Sequence, residues 1–294
     1  MRIAVVGARG QLGAAVVHEC RTVHDVVAFS RAELDASDEH AVIAAMARVK
    51  PEVIVNGAAF TEVDAAEDDP IGALNANAFA VRALARAATT HGATLVHYST
   101  DFVFDGTATE PYTESSAPNP QSVYAASKLL GEWFARDAPR AFVLRVESLF
   151  GRAPGAGPAK GSVAGILNTL KAGGVAKVFE DRTVSPTYLL DASRATRQLI
   201  EGDAPAGLYH CVNTGSCTWL EFARELARQA GLEPRFEPVR MADVKLRASR
   251  PQYCALSNAK IRAAGIDMSS WQDALRTYVQ ALRDEIPDKV SDRQ

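Results

Sequence analysis

A tyrosine and a lysine four residues apart form the clearest candidate for acid–base chemistry in this chain. Tyr124 and Lys128 stand in the segment "YAASK", and a four-residue step on a helix places both side chains on one face. A neighbouring ammonium favours the phenolate, so we expect Lys128 to lower the pKa of Tyr124 from about 10. Tyr124 would then be a usable proton donor near neutral pH.

A hydroxyl at the end of a predicted strand is expected to complete this group. Thr100 follows the buried strand predicted over 94–98, and open α/β sheets bind their ligands at the carboxyl ends of the strands. Thr100, Tyr124 and Lys128 resemble the Ser/Thr, Tyr, Lys triad of short-chain dehydrogenase/reductases, and this resemblance implies that they are catalytic. The alternative, in which Tyr124 packs on a helix face and Lys128 is solvated, remains open.

Three glycines near the start of the chain predict a phosphate-binding turn. The segment "GARGQLG" places Gly7, Gly10 and Gly13 directly after a predicted strand and at the start of a predicted helix. Gly7 permits the tight turn, Gly10 lets a pyrophosphate approach the backbone, and Gly13 lets helix and strand pack closely. The spacing GxxGxxG is common in extended short-chain dehydrogenase/reductases. We therefore predict dinucleotide binding.

The end of the second predicted strand indicates which dinucleotide is preferred. An acid there would accept hydrogen bonds from the ribose of NAD, but the chain has Ser30 and Arg31. A hydroxyl and a guanidinium suit a 2′-phosphate, which favours NADP(H). Either Glu33 or Asp35 could turn in and restore NAD(H) use, and an exposed arginine at a strand end is the remaining alternative.

The elements around these residues alternate between short apolar runs and helical segments, which predicts an α/β fold with a Rossmann-type, doubly wound parallel sheet. The predicted strands are 3–6, 26–29, 53–56, 94–98 and 141–146, with helices at 11–22, 38–49, 70–91 and 121–136. Residues 1–150 should form the dinucleotide-binding domain. Residues 151–294 should form mainly a smaller α/β substrate domain, with about 182–215 returning to the first. The glycine- and proline-rich segment 151–161 must be a loop, either a lid or a connection.

Composition excludes several classes of protein. The 294 residues carry a net charge of −3, too balanced for a nucleic-acid or membrane partner. The apolar runs are far shorter than the roughly 20 residues of a membrane span, and no signal-peptide core is evident. The four cysteines form no CxxC pair, which predicts reduced thiols in a cytoplasmic protein. We find no clustered carboxylates that identify a metal site and expect no metal.

Longer segments resemble the dTDP-4-dehydrorhamnose reductase family of the extended short-chain dehydrogenase/reductases. They are "NGAAFTEVDAAEDDP", "HYSTDFVFDGTATEPYTESSAPNPQSVYAASKLLGE" and "RTVSPTYLLD". The resemblance is strong over 1–145 and looser afterwards. It implies reduction of the 4-keto group of a nucleotide-linked 6-deoxyhexose by NAD(P)H in activated deoxysugar (dTDP-rhamnose) synthesis. Some relatives are dimers, so a homodimer is a further expectation.

The resemblance also implies roles for individual residues. Tyr124 would protonate the C4 alkoxide and Lys128 would bind the nicotinamide ribose, while Thr100 and Asp101 would meet the sugar. The residues implied to contact the cofactor are Gly10, Gln11 and Leu12 at the phosphates, Asp35 and Ala36 near the adenine, and Ala58, Ala59 and Phe60 beyond the third strand.

The roles of two positions in substrate binding are undecided, so the identity of the substrate is not fixed by the sequence. Where the family has a tryptophan in a segment like "RTSWVYG", this chain reads "RVESLFG", with Ser148 at the tryptophan position. Ser148 with Glu147 would hydrogen-bond another substituent, or the pair is inert. In "LRASRPQYCALSNAK", Arg250 could meet the pyrophosphate, with Arg182, Lys245 and Arg247 as competing candidates.

Other activities compete with the reductase. A dehydratase needs an acid after Asp101, and the chain has Phe102, which argues against that activity. A nucleotide-sugar epimerase shares the Thr, Tyr and Lys triad and would retain tightly bound NAD. A non-catalytic NADP-binding protein, resembling the regulatory subunit of methionine adenosyltransferase, is the alternative from another class.

Overall fold

The computed structural model describes residues 1–154 and 156–284. Strands and helices alternate along most of this length. The strands are β1 (Arg2–Val6), β2 (Asp25–Phe29), β3 (Val53–Asn56), β4 (Thr94–Thr100), β5 (Arg140–Val146), β6 (Leu149–Phe150), β7 (Ala176–Phe179), β8 (Thr183–Val184), β9 (Thr187–Tyr188), β10 (Gly207–His210), β11 (Cys217–Thr218) and β12 (Phe236–Val239). The α-helices are α1 (Gln11–Cys20), α2 (Glu39–Val49), α3 (Val63–Asp68), α4 (Pro70–Leu74), α5 (Ala80–His91), α6 (Val123–Ala135), α7 (Ser162–Lys171), α8 (Leu189–Glu201), α9 (Trp219–Ala230), α10 (Ala259–Ala263) and α11 (Trp271–Asp284).

The main sheet has six parallel strands in the order β10-β5-β4-β3-β1-β2. The predicted α/β fold with a parallel sheet is therefore confirmed. The chain progresses in one direction from β1 to β2 and in the other from β3 to β5. A crevice for ligands opens at the carboxyl ends of the strands where this order reverses, and the turn at Gly7 directly follows β1 at that point.

Helices cover both faces of this sheet, because successive side chains of a strand point to opposite sides. Ile3 and Val5 pack in one hydrophobic core with helices α1 and α8. Ala4 and Val6 pack in a second core with helices α2 and α5. Both cores exclude water, so the main sheet is a rigid platform for residues at its edge.

The helix predicted over 70–91 is present over that range, but it is not α-helical throughout. The structure instead has α4, a π-helical turn over Asn75–Phe79 and then α5. The wider turn holds the buried side chain of Asn77, whose Oδ1 accepts from the amide of Phe60 at 2.8 Å and whose Nδ2 donates to the Phe60 carbonyl at 3.0 Å. Inserted π turns often occur at functional sites, and this one fixes the backbone after β3.

A third hydrophobic core lies in the carboxyl-terminal half and includes Phe150, Leu167, Phe222 and Leu275. It is built from α7, α9 and α11 with short strand pairs, β7 with β12 and β8 with β11. Helix α8 and strand β10, from the segment expected to return, pack with the main sheet. The boundary between two domains near residue 150 stays a prediction. Among the described residues, no helix is both long and apolar enough to cross a bilayer.

Candidate active site

The turn after β1 holds the predicted glycines against neighbouring backbone. A Cβ atom on Gly7 would lie 2.5 Å from the amide nitrogen of Ala58, and one on Gly13 would lie 2.3 Å from the carbonyl oxygen of Gly7. Gly7 also has a φ of +78°. Gly10 precedes α1, whose first turn has neither an acidic residue nor a side-chain cap. The positive end of α1 is therefore left for an anion.

Two cavities flank this turn. The β2-side cavity, of about 510 Å³, has a lining that includes Gly7, Arg9, Arg31, Asp35, Ala36 and Phe60. The Tyr124-side cavity, of about 490 Å³, has a lining that includes Gln11, Leu12, Tyr98, Tyr124, Lys128 and Arg152. Arg9, Gly10, Gly57, Ala58 and Ala59 line both. The two cavities thus form one cleft that crosses the sheet at the reversal of strand order.

Of the pair predicted to recognise a 2′-phosphate, Arg31 lines the β2-side cavity and Ser30 does not. Ser30 is buried, and both its amide and its hydroxyl donate to Oε2 of Glu33, at 2.8 and 2.6 Å. The expected contact of Ser30 with the cofactor is therefore not supported. The carboxylate of Asp35 accepts from the amide and hydroxyl of Ser37, and these hydrogen bonds lower the pKa of Asp35.

Tyr124 and Lys128 share one face of α6, which begins after the cap at Ser122. The Nζ atom of Lys128 donates to the carbonyl oxygen of Tyr98 at 2.6 Å. Burial lowers the pKa of Lys128 to about 8, opposed by the charge of Glu132. Burial raises the pKa of Tyr124, so the predicted lowering of that pKa by Lys128 is wrong for this structure. The loss of solvation on burial therefore has a larger effect on the pKa of Tyr124 than the charge of a lysine four residues away.

Thr100 and Asp101 lie close to Tyr124. Thr100 lies close enough to Tyr124 to act against the rise in its pKa, and Oγ1 of Thr100 donates to Oδ1 of Asp101 at 3.0 Å. The amide of Phe102 donates to the same Oγ1 at 3.2 Å. Thr100, Tyr124 and Lys128 are therefore brought together at the carboxyl end of β4, although Thr100 itself is covered by its neighbours.

The other predicted substrate residues lie apart from this group. Ser148 follows β5 with a positive φ of 44° and lines neither cavity of the cleft. Arg250 makes a two-pronged ion pair with Asp64, with both hydrogen bonds at 2.8 to 2.9 Å. This pair ties the segment before Pro251 to α3, and Arg250 lines neither cavity as the structure describes them.

The structure also shows functional candidates that the sequence did not indicate. Lys160, Pro158 and Ala156 line the Tyr124-side cavity, and the amide of Lys160 donates to Oε1 of Gln11 at 3.1 Å. Residues 152–153, 156–158 and 160 of the predicted loop therefore line this part of the cleft. The glycine and proline content predicted the loop, but nothing local in the sequence indicates where it lies.

A cluster of acids was also missed. Asp101, Glu147 and Cys254 are all buried, and one potential ligand atom from each lies within 4.8 Å of the others. This group was not identified from the sequence, and the expectation that no metal is bound stays a prediction. Arg182 lies beside them, with Nη2 3.9 Å from Oδ2 of Asp101. These residues come from distant segments, so no spacing pattern could have revealed their approach.

Comparison with known proteins shows that this chain is similar to several of them over most of its length. The dTDP-4-dehydrorhamnose reductase of Streptomyces griseus is 34% identical over 287 residues, which cover 95% of this chain and 93% of that protein. The spore coat polysaccharide biosynthesis protein SpsK of Bacillus subtilis is 32% identical over 281 residues, 95% of this chain and 97% of that protein. The crystal structure of dTDP-4-dehydrorhamnose reductase from Bacillus anthracis in complex with NADP has a TM-score of 0.90 and 32% identity, and the match covers 95% of this chain and 99% of that one.

A family model agrees with these likenesses over nearly the whole sequence. The model described as the RmlD substrate binding domain matches residues 1–284. The chain therefore belongs to the dTDP-4-dehydrorhamnose reductase family of extended short-chain dehydrogenase/reductases.

Proposed function

We propose that this protein is an NADPH-dependent reductase that converts the 4-keto group of a nucleotide-linked 6-deoxyhexose to an alcohol, in the synthesis of an activated deoxysugar. The observation that carries this proposal is one cleft that joins the glycine turn to Tyr124 and Lys128. A dinucleotide is elongated, and the cleft runs across the strand-order reversal at which such cofactors bind.

The residues of the turn fit a dinucleotide. Backbone N–H groups at Gly10, Gln11 and Leu12 would hold the pyrophosphate, because no side chain occupies the amino-terminal end of α1. Arg31 and Arg9 line the β2-side cavity and would pair with a 2′-phosphate. NADP(H) is therefore the preferred cofactor. The carboxylates of Glu33 and Asp35 are already engaged within the chain, so NAD(H) use requires one of them to turn.

Ala58, Ala59 and Phe60 would bound the cofactor on the β3 side, and Asp35 and Ala36 would lie near the adenine. When bound, NADPH supplies the hydride. Tyr124 would hold the proton that the C4 oxygen needs as negative charge develops on it. Lys128 would bind the ribose next to the nicotinamide and hold a positive charge near the phenol.

Four residues are proposed to contact the substrate. Thr100 and Asp101 would meet the sugar beside Tyr124. Ser148 would meet it where a tryptophan occurs in the resembling segment. Arg250 would meet the pyrophosphate after exchange of its partner Asp64. A homodimer and a cytoplasmic location also remain proposals, which sedimentation and cell fractionation can test.

The direct test is oxidation of NADPH in the presence of dTDP-, UDP- and GDP-linked 4-keto-6-deoxy sugars, followed by absorbance. We expect NADPH consumption with at least one of these sugars and formation of the 4-hydroxy sugar. Tight NADPH binding without consumption across the panel would favour a non-catalytic NADP-binding role. Purification with bound oxidised NAD, without consumption of added NADPH, would favour an epimerase.

A further inference from the structure

The buried cluster of Asp101, Glu147 and Cys254 lies beside the proposed catalytic group but outside the cleft. Oδ2 of Asp101 and Oε1 of Glu147 are buried and have no hydrogen-bond partner. The other Glu147 oxygen, Oε2, accepts from the amide of Ser185 at 2.7 Å. Two carboxyl groups therefore present unpaired oxygens to a shared interior space. Leaving buried polar atoms without hydrogen bonds is energetically costly. A proton shared by the two oxygens, or a water molecule between them, would supply the missing hydrogen bonds.

The charges around this space do not balance if both acids are ionised. Arg182 supplies a single positive charge, with Nη2 3.9 Å from Oδ2 of Asp101 and 3.6 Å from Sγ of Cys254. The other titratable groups within electrostatic reach of Glu147 are uncharged when protonated, namely Cys254, Cys217 and Tyr253. Two buried carboxylates with one guanidinium leave an excess negative charge, which one retained proton removes.

The same cluster is connected to the proposed proton donor. Oδ1 of Asp101 accepts from the Thr100 hydroxyl at 3.0 Å, and Thr100 lies close enough to Tyr124 to influence the pKa of its phenol. The ligand oxygens of Glu147 and Asp101 lie within 4.8 Å, a separation that one water can bridge. Asp101 and Thr100, both with exchangeable protons, therefore lie between Glu147 and the phenol.

We propose that Asp101 and Glu147 share one proton and return it through Thr100 to Tyr124 after each reduction. This inference rests on the proposed reductase function. The Tyr124 O–H bond breaks as the C4 O–H bond forms. The phenolate then takes the Thr100 hydroxyl proton, and Thr100 takes the proton of the acid pair. The pair is reprotonated from solvent between turnovers, so the net proton comes from water.

Electrostatics agree with this direction of transfer. Burial and the neighbouring charge of Asp101 raise the pKa of Glu147 well above its ordinary value, which favours retention of a proton by the pair. Burial also raises the pKa of Tyr124, and the ordinary pKa of a phenol, about 10, is already well above that of a carboxyl group, about 4. A phenolate at that position is therefore a stronger base than the carboxylate that supplies it. Glu147 acts through Asp101 and Thr100, so it is a positioning and proton-supplying residue rather than a catalytic one.

The variant Glu147→Gln removes the proton-holding group with little change in volume. We expect a burst in which each active site oxidises NADPH once at a rate near that of the wild type. The later turnovers should slow by about 10-fold or more, since proton supply typically contributes about 10² to 10⁴ when it is direct. The solvent deuterium isotope effect on kcat should increase, and a small carboxylic acid in the buffer should restore part of kcat.

Two controls separate proton supply from a structural defect. Glu147→Asp keeps a titratable carboxyl and should restore the later turnovers. Asp191→Asn removes another buried carboxylate, which lies away from Tyr124 and hydrogen bonds with Asn213 and Ser269. It should lower stability without producing a burst. Equal slowing of the first and later turnovers in Glu147→Gln, or an unchanged isotope effect, would overturn the proposal.

An infrared measurement without substrate distinguishes this inference from the proposed function. The wild type at neutral pH should show the stretch of a protonated buried carboxyl group that is absent in Glu147→Gln. Absence of that band, or one equivalent of bound metal per chain by elemental analysis, would overturn the shared proton. The band without NADPH oxidation on any sugar would instead overturn the reductase function and, with it, delivery to Tyr124.

Discussion

The Nζ atom of Lys128 lies 2.6 Å from the carbonyl oxygen of Tyr98, to which it donates a hydrogen bond. This contact ties α6 to β4 and holds the ammonium in the lining of the Tyr124-side cavity. A backbone carbonyl keeps its acceptor capacity at any pH, so the contact weakens only when Lys128 itself loses its proton. The charge on Lys128 therefore strengthens this link between α6 and β4.

Activity should fall as the pH rises through about 8, because burial lowers the pKa of Lys128 to about 8. Below that pH the ammonium form is present, and above it the neutral amine dominates. Lys128→Arg keeps the positive charge to higher pH, so its residual kcat should lose this alkaline decline. A profile of kcat against pH measures the effect. The same decline in wild type and Lys128→Arg would assign it to another group.

Removal of the phenolic hydroxyl should separate chemistry from binding. Tyr124→Phe should lower kcat by about 10² to 10⁴, the usual contribution of a positioned general acid. The affinity for NADPH, measured by fluorescence titration, should change little, because the turn at Gly10 and the β2-side cavity are untouched. Full turnover in this variant would remove Tyr124 from the proposed chemistry.

Alanine substitutions at the glycines should destabilise the protein to different degrees. Gly13→Ala should destabilise the fold and weaken NADPH binding, since its Cβ would lie 2.3 Å from the carbonyl oxygen of Gly7. Gly10→Ala meets that oxygen at 3.2 Å, so it should fold more nearly normally and lose mainly cofactor affinity. The matched control is Gly165→Ala inside α7, where a Cβ has open space.

Gly165→Ala should leave the free energy of unfolding unchanged or raise it by up to about 1 kcal/mol, because alanine is a better helix former than glycine. Denaturant unfolding measures the three stabilities, and titration with NADPH measures the affinities. A Gly13→Ala variant as stable as Gly165→Ala would contradict the close packing of helix and strand.

The glycine turn was predictable because its steric requirement is local and its three positions are fixed by one turn. The same holds for β1 and β3, which are continuous apolar runs buried on both sides. The pKa of Tyr124 was not predictable from its spacing to Lys128, because its direction depends on how much water the whole fold excludes. The approach of Glu147 to Asp101 likewise depends on tertiary packing, which joins segments distant in sequence.

A buried ion pair beneath the site should be important for stability. Arg145 donates from Nε and Nη2 to the two carboxylate oxygens of Glu132, each at 2.8 Å, and both side chains are fully buried. Glu132→Ala would leave a buried guanidinium unpaired, which typically costs about 3 to 5 kcal/mol. The exposed pair of Lys177 and Glu237 is the control.

Lys177→Ala should change the free energy of unfolding by less than about 0.5 kcal/mol, because solvent screens exposed pairs. Denaturant titration of both variants gives the comparison. Equal small losses would show that the interior around Arg145 can rehydrate, contrary to its near-complete exclusion from solvent.

The ion pair of Arg250 and Asp64 allows a test of substrate binding. Hydrogen bonds from Arg250 and from the amide of Ala248 hold the pKa of Asp64 at about 2, so the pair is intact at neutral pH. If Arg250 transfers to the substrate pyrophosphate, Arg250→Ala should raise KM for the nucleotide sugar about 10- to 100-fold, the loss expected for charged hydrogen bonds.

Asp64→Asn is the matched change on the other side of the pair. It releases Arg250 without removing it, so KM for the nucleotide sugar should stay the same or decrease, while kcat is unaffected. Steady-state kinetics at saturating NADPH measure both variants. If Asp64→Asn raises KM as much as Arg250→Ala does, the pair only anchors the segment before Pro251 to α3. In that case Arg182, already beside Asp101, becomes the better candidate for the substrate phosphate.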